Sequence, residues 1–428
     1  MTIALPIVLL VVLLFFGMPV AFSLAISGCV GLWLVDGFGS IINILSTSPY
    51  RTAASFILTT IPMFILMAEF TSSGGLAREL FNLANRWLGH LPGGVAISTV
   101  LASAGFGAMS GSSTASAATM SRIAIPEMLR FGYRRDVAAG VVTVSGTLAI
   151  MIPPSIPLVV YGITTETSIG KLLIAGIIPG LMTAAVYCIG IIVWTRMIPG
   201  AMKPVSPFSW KDRIESLKSL WPFLVLVLVV IGGMYSGLAT ASEVAALGAL
   251  GALLICLFMR RIDLKGVIAA IGRTVITTTM IFTIIIGAMI FGYFLTMTQT
   301  TQNLVNYVGG LGVPNWLIMG ILVVVYLILG CFMDQLAILL LTLPLTFPLV
   351  TSLGYDGIWF GIVVTKLAEI GLVTPPLGMN AYVVAATAKI PLDEVFKGIG
   401  VMLLFEFVTL ALILNFPKLS LFLPSLMR

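Results

Sequence analysis

The chain has 428 residues, of which 59% are hydrophobic and only 9% charged, and its mean hydropathy is +1.14. Soluble domains carry about 25% charged residues, so this is an integral membrane protein, and spans of roughly 20 apolar residues allow on the order of ten to twelve crossings. The net charge of +6, from 22 Lys and Arg against 16 Asp and Glu, reports loop orientation in such a chain and gives no reason to expect a nucleic-acid partner.

Long apolar runs cover 4–35, 53–70, 94–120, 137–163 and 172–195, then 222–259, 274–297, 316–350, 358–386 and 399–416. The first run has no basic flank and no A-x-A site, and its first charge is Asp36, so it reads as a retained segment and not a cleaved signal peptide. It is expected to form two short spans broken near Gly17-Met18-Pro19. The most polar stretch, 199–221, alternates Phe208, Trp210, Ile214, Leu217 and Trp221 with Lys211, Asp212, Arg213, Glu215 and Lys218. That spacing predicts an interfacial amphipathic helix joining two halves, 1–198 and 222–428. Cys29, Cys188, Cys256 and Cys331 lie in apolar stretches without CxxC spacing, which indicates neither a disulfide framework nor a transition-metal site.

The halves match each other. Arg51-Thr52, Pro126, Gly132-Tyr133, Pro153-Pro154 and Gly176 recur 222 residues later as Arg273-Thr274, Pro348, Gly354-Tyr355, Pro375-Pro376 and Gly398. Basic residues mark opposite sides in the two copies. Arg78 and Arg86, then Arg122, Arg130, Arg134 and Arg135, read as cytoplasmic loops, whereas the counterparts 298–315 and 351–357 contain no Lys or Arg and 260–273 carries Arg260, Arg261, Lys265 and Arg273. The expectation is an inverted repeat. Residues 94–121 are too few for two full crossings and have cytoplasmic flanks, so they predict a re-entrant hairpin open to the cytoplasm. Its partner at 316–350 opens outward. The predicted architecture is all-α, with about ten transmembrane helices, two re-entrant hairpins, and broken helices at 137–163 and 358–386.

The first hairpin carries Gly105-Phe106-Gly107-Ala108-Met109-Ser110-Gly111-Ser112-Ser113-Thr114-Ala115-Ser116, a small, hydroxyl-rich run that allows close backbone approach and leaves helix-end groups to be satisfied at membrane depth. The second carries Gly330-Cys331-Phe332-Met333-Asp334-Gln335, with Asp334 on the register of Ser112; a carboxylate within an apolar segment marks an ion or substrate path. Met151-Ile152-Pro153-Pro154-Ser155 and Val373-Thr374-Pro375-Pro376-Leu377-Gly378-Met379-Asn380 interrupt helices and free carbonyls for cations and positive helix ends for anions. Lys366 and Glu369 are spaced to pair on one helix. Arg51 and Arg273 read as interfacial anchors, His90 as a surface residue, and Glu69, Glu243 and Glu406 carry no assignment. A nucleotide-binding loop, an HExxH motif and a nucleophile constellation are all missing from the sequence, so ATP hydrolysis and zinc proteolysis are set aside and the chain reads as no enzyme.

Those hairpin and double-proline motifs, in this order and over essentially the whole chain, resemble the large membrane subunit of the tripartite ATP-independent periplasmic (TRAP) transporters. The resemblance implies an elevator-type, sodium-driven secondary transporter of the ion-transporter superfamily in the bacterial inner membrane. It also implies two partners, a periplasmic substrate-binding protein and a separate small four-span subunit. The cargo implied is a small organic acid of the C4-dicarboxylate, keto acid, sugar acid or sialic acid class. Carried over onto this sequence, sodium is expected at Ser110, Ser112, Pro153, Asp334, Thr374, Gly378 and Asn380, and substrate at Ser112, Ser113, Thr114, Asp334, Gln335 and Asn380. The alternatives are an ion channel, or a sodium/carboxylate symporter needing no binding protein, on the same fold; polarity concentrated at two tips and two breaks favours an alternating site over a pore.

Overall fold

The structure, a computed structural model, describes residues 3–198, 200 and 202–427. Met1, Thr2 and Arg428 at the ends of the two expected halves, and Pro199 and Ala201 of the expected linker, lie outside the described residues. Every described element is helical. Helices α1 (Ala4–Phe15) and α2 (Val20–Asp36) are separate, because Gly17 turns at φ +78° and Pro19 can open a helix but not continue one. They are followed by α3 (Phe38–Ala53), α4 (Thr60–Ser73) and α5 (Leu76–Leu88). The stretch carrying Arg78 and Arg86, expected as a loop, is therefore mostly helix: α5 buries Leu76, Ala77, Leu80 and Phe81 at helical spacing and leaves its charges on the other face.

Next come α6 (Gly94–Ser110) and α7 (Ser113–Arg130), joined by two residues. The hairpin expected to end at 121 continues for nine residues more, with Pro126 inside α7 and not ending it. The region 137–163 is divided into α8 (Arg135–Ser145), α9 (Leu148–Met151) and α10 (Ile156–Thr165), with a 41° bend across the double proline. Then follow α11 (Ile169–Ala175) and α12 (Ile177–Met197).

The expected linker helix over 199–221 is shorter. Residues 203–209 form no helix, in keeping with Pro204 and Pro207, and the helix starts only where the Ser209 hydroxyl accepts from Asp212 N at 3.2 Å. This α13 (Trp210–Leu217) runs almost directly into α14 (Trp221–Val227), a π-turn and α15 (Gly233–Tyr235). It lies on α5: Trp87 and Trp210 meet edge to face at 6.4 Å, and Arg86 and Trp87 donate to the carbonyls of Asp212 and Arg213.

The second half begins with α16 (Ala241–Phe258), whose start is a capping box in which Glu243 accepts from Thr240 N and Thr240 from Glu243 N. The unassigned Glu243 is thus a cap. α17 (Leu264–Met297) is a single 34-residue helix that absorbs Lys265 and Arg273, expected in a loop. Arg273, read from sequence as an interfacial anchor, pairs with Glu69 of α4 at 2.6 Å. After α18 (Thr300–Gly310) come α19 (Asn315–Gly330), α20 (Gln335–Ser352), α21 (Gly357–Val373), α22 (Met379–Ala388), α23 (Leu392–Asn415) and α24 (Lys418–Ser425). Seven of the described helical segments are long and apolar enough to cross a membrane, eight if the bent pair at 135–165 counts as one span, and five apolar helices are shorter.

Packing is reciprocal between the halves. α2 lies along α17 and α4 along α16, while α7 lies along α22 and α10 along α20. The α2–α17 contact is backbone-close: a Cβ on Gly28 would stand 2.9 Å from the Phe291 backbone, and one on Gly287 would meet the Ala21 carbonyl. Small residues let two helices approach this way in a membrane, where apolar burial alone does not drive association.

Candidate functional site

The two hairpin tips and the two breaks converge. At the first tip, Gly111 takes φ +60°, Ser112 is extended, and the Ser112 hydroxyl caps α7 by accepting from Ala115 N at 3.4 Å. A Cβ on Gly111 would run into the Pro154 carbonyl, and Ile156 N donates to Gly111 O at 3.4 Å. The tip therefore rests directly on the first break, where Ile152 and Ser155 are extended and Ser155 caps α10 by accepting from Leu158 N. At the second tip Asp334 caps α20, accepting from Leu336 N at 3.2 Å. At the second break Thr374 is extended and donates to Ile370 O at 2.6 Å, and Gly378 opens α22 at φ +56°. The peptide bond within each proline pair is cis.

A cavity of about 620 Å³ lies where these parts meet. Ser112 and Thr114 line it from the first hairpin, Asp334 and Gln335 from the second, Ile156 from the first break and Met379 from the second, with α2 and α17 closing its far wall. Each of those six residues sits in the first turn or cap of α7, α20, α10 or α22. Four helix amino termini thus border one chamber, each carrying roughly half a positive elementary charge, and among the described residues Asp334 is the one ionisable side chain in its lining.

Just outside the chamber, Asn380 Nδ2 donates to Ser113 Oγ at 3.3 Å, which joins the halves across 267 residues. Around this contact, Ser110 Oγ, Ser116 Oγ, Ser145 Oγ, Gln335 Oε1 and Asn380 Oδ1 are buried without a hydrogen-bond partner among the described residues. Buried polar atoms are normally satisfied, and each exception needs a reason. Hydroxyl and amide oxygens beside carbonyls freed at a helix break are ligands for a hard monovalent cation.

Of the expected residues, Ser112, Thr114, Asp334 and Gln335 share the chamber, Ser113 and Asn380 meet beside it, and Ser110 and Pro153 lie buried behind the first tip. Thr374 and Gly378 belong to the second break, and neither lines the chamber. The two breaks differ in exposure: Pro153 and Pro154 are buried, Pro375 and Pro376 exposed. Sequence reasoning missed Thr277 and Thr283, which α17 contributes to the wall; a six-residue hydroxyl spacing along an apolar helix is too weak a pattern to single out. It also missed Met379, although the residue stands inside a motif already marked.

A family model described as the DctM component of the tripartite ATP-independent periplasmic transporter matches residues 7–419. The chain belongs to this DctM family. It is 38% identical to the C4-dicarboxylate TRAP transporter large permease protein DctM of Pseudomonas aeruginosa, over 94% of each chain. To the sialic acid TRAP transporter large permease protein SiaM of Vibrio cholerae it is 33% identical, over 97% of this chain and 96% of that one. Among solved structures, the YdaH transporter of Alcanivorax borkumensis shares the fold at a TM-score of 0.59 and 15% identity, over 91% of this chain and 89% of that one. As a DctM component the chain is a multi-pass membrane transport protein.

Proposed function

We propose that this DctM component imports a small organic acid together with sodium across the bacterial inner membrane, receiving the acid from a periplasmic binding protein and working beside a small four-span subunit. The observation that carries the reading is the chamber bordered by four helix amino termini. Among the described residues no Lys or Arg lines it, so a carboxylate there would be held by helix ends and hydroxyls, while the unpartnered oxygens beside it suit sodium. The relatives span C4-dicarboxylate and sialic acid transporters by name, which supports a carboxylate cargo without choosing one.

In this reading the two halves are an inverted repeat with ten crossings and two re-entrant hairpins. The exchange of partners between halves, α2 with α17 and α16 with α4, α7 with α22 and α10 with α20, supports it. The first two of these pairs form the scaffold, and the hairpins with the broken helices form the body that carries the chamber from one side to the other. Sodium binds first at Ser110, Ser112, Asp334, Thr374 and Asn380 and orders the tips for the acid at Ser112, Ser113, Thr114 and Gln335.

The test is uptake of a panel of radiolabelled organic acids into proteoliposomes holding this chain and its small subunit. Uptake that needs both a sodium gradient and the binding protein is expected. Sodium-independent conductance without the binding protein would move the protein to the channel class.

A further inference from the structure

Outside every residue assigned to the chamber lies a cluster of charged side chains with no access to solvent. Lys366 and Glu369 of α21 and Glu406 of α23 all have side chains fully buried, with Lys366 Nζ 2.5 Å from Glu406 Oε2 and 3.5 Å from Glu369 Oε2. Sequence spacing pairs Lys366 with Glu369; the structure gives the shorter contact to Glu406, 40 residues on. Glu406 is well served by donors. Its Oε1 accepts from the Tyr187 hydroxyl of α12 and from Thr147 Oγ1 at 2.9 Å, and Lys366 Nζ stands at ion-pair distance from its Oε2, which has no hydrogen-bond partner among the described residues. Glu369 has Lys366 at the limit of hydrogen-bond distance on one oxygen and, among the described residues, no partner on the other.

With both carboxyls ionised the cluster would carry one lysine charge against two glutamate charges, an uncompensated negative charge in a dry interior. Such a charge is strongly disfavoured, and the group neutralises instead. Among the described residues no other cation pairs with these carboxyls: on the helices packed around the cluster, Arg135 of α8, Arg196 of α12, Lys397 of α23, Lys171 of α11 and Lys418 of α24 sit toward helix ends, and Asp393, Glu394 and Asp136 likewise lie in first turns. Tyr187 faces the cluster directly, and Lys366 lies 5.9 Å from its ring centroid. The ion pair that the donors favour is Lys366 with Glu406, which leaves Glu369 as the carboxyl to be neutralised.

We propose that the Lys366–Glu369–Glu406 cluster is a proton-binding site, in which Glu369 holds one proton and Lys366 and Glu406 form the ion pair. Its place in the fold gives the proton a consequence. Thr147 and Glu369 stand at equivalent positions of the two halves, 222 residues apart and each six residues before the first proline of its break. Thr147 reaches Glu406 directly and Glu369 reaches it through Lys366. The proton therefore completes a neutral junction that ties both broken helices to α12 and α23.

The experiment is infrared spectroscopy of the purified protein in lipid nanodiscs at neutral pH, with and without sodium, for the wild type and Glu369→Gln. It requires no transport, so its outcome is independent of the function proposed above. A protonated-carboxyl band that is present in the wild type, lost in E369Q and unmoved by sodium is expected. Glu369→Asp, which keeps a carboxyl in place, should shift the same band and so assigns it even if E369Q does not fold. Absence of the band from the wild type overturns the proposal. So does a band that persists unshifted in the variants, and a band that vanishes on adding sodium makes the cluster a cation site instead.

Discussion

Asn380 Nδ2 donates to Ser113 Oγ at 3.3 Å, and this one contact joins the broken helix of the second half to the hairpin tip of the first. Both side chains are fully buried, and Asn380 Oδ1, like the hydroxyls of Ser110 and Ser116 three residues to either side of Ser113, has no hydrogen-bond partner among the described residues. Asn380→Ala removes the donor and the free oxygen together. Losing a buried partner costs about 1–3 kcal/mol, so the sodium concentration for half-maximal uptake should rise about 5- to 150-fold, with folded protein retained on size-exclusion chromatography. An unchanged sodium dependence would remove Asn380 from the cation set.

Asp334 and Ser112 act at equivalent positions, each capping the second arm of its hairpin with a side-chain oxygen that accepts from backbone N–H. Replacement separates capping from ligation. Asp334→Asn keeps a capping oxygen but removes the chamber's negative charge, whereas Ser112→Ala removes a cap whose loss costs about 1 kcal/mol. D334N should therefore melt close to the wild type and lose sodium-dependent uptake, and S112A should lower both. Uptake by D334N that matches the wild type at limiting and saturating sodium would leave Asp334 as a cap alone.

How far the chain could be read without its structure depended on whether the signal was local. Pro19, Pro153-Pro154 and Pro375-Pro376 announce their breaks because proline cannot donate within a helix, and the hydroxyl-rich run at Ser110–Ser116 announces a turn. Helix α5 is masked by its charges: Leu76, Leu80 and Phe81 form a helical stripe on the face away from Arg78 and Glu79. Only one partner of Lys366 is legible in the sequence. Glu369 is three residues away and was visible, but Glu406 reaches Lys366 only because α21 and α23 pack together, and tertiary contacts leave no trace in a single sequence.

The pair α8 and α23 is held by glycine. A Cβ on Gly140 would strike the backbone of Gly398, and one on Gly398 would strike the Asp136 carbonyl. Neither obstacle is a side chain that can turn away. Overpacking a tight core costs about 1–3 kcal/mol and sometimes more, so Gly140→Ala and Gly398→Ala should each lower the melting temperature of the purified protein. Gly272 and Gly320 have open space around them, and alanine there should leave the melting temperature unchanged. Equal behaviour of the two sets would show that α8 and α23 can separate without penalty.

Movement of the chamber past the scaffold can be tested at its wall. Thr114 belongs to the first hairpin and Thr277 to α17, and both line the same chamber. If the hairpins carry their cargo by sliding along α17, a link between these residues should stop the cycle even though neither takes part in the buried proton cluster. Cys29, Cys188, Cys256 and Cys331 are free thiols, so the background is a variant with all four replaced by Ser or Ala. In it, Thr114→Cys with Thr277→Cys, joined by a short reducible thiol cross-linker, should abolish uptake, and reduction should restore it. Each single variant treated with the same reagent controls for blockage of the chamber. A cross-linked double variant that still transports at the rate of its reduced form would mean that the hairpin and α17 keep their relation throughout the cycle, which excludes the sliding motion and favours opening of the tips alone.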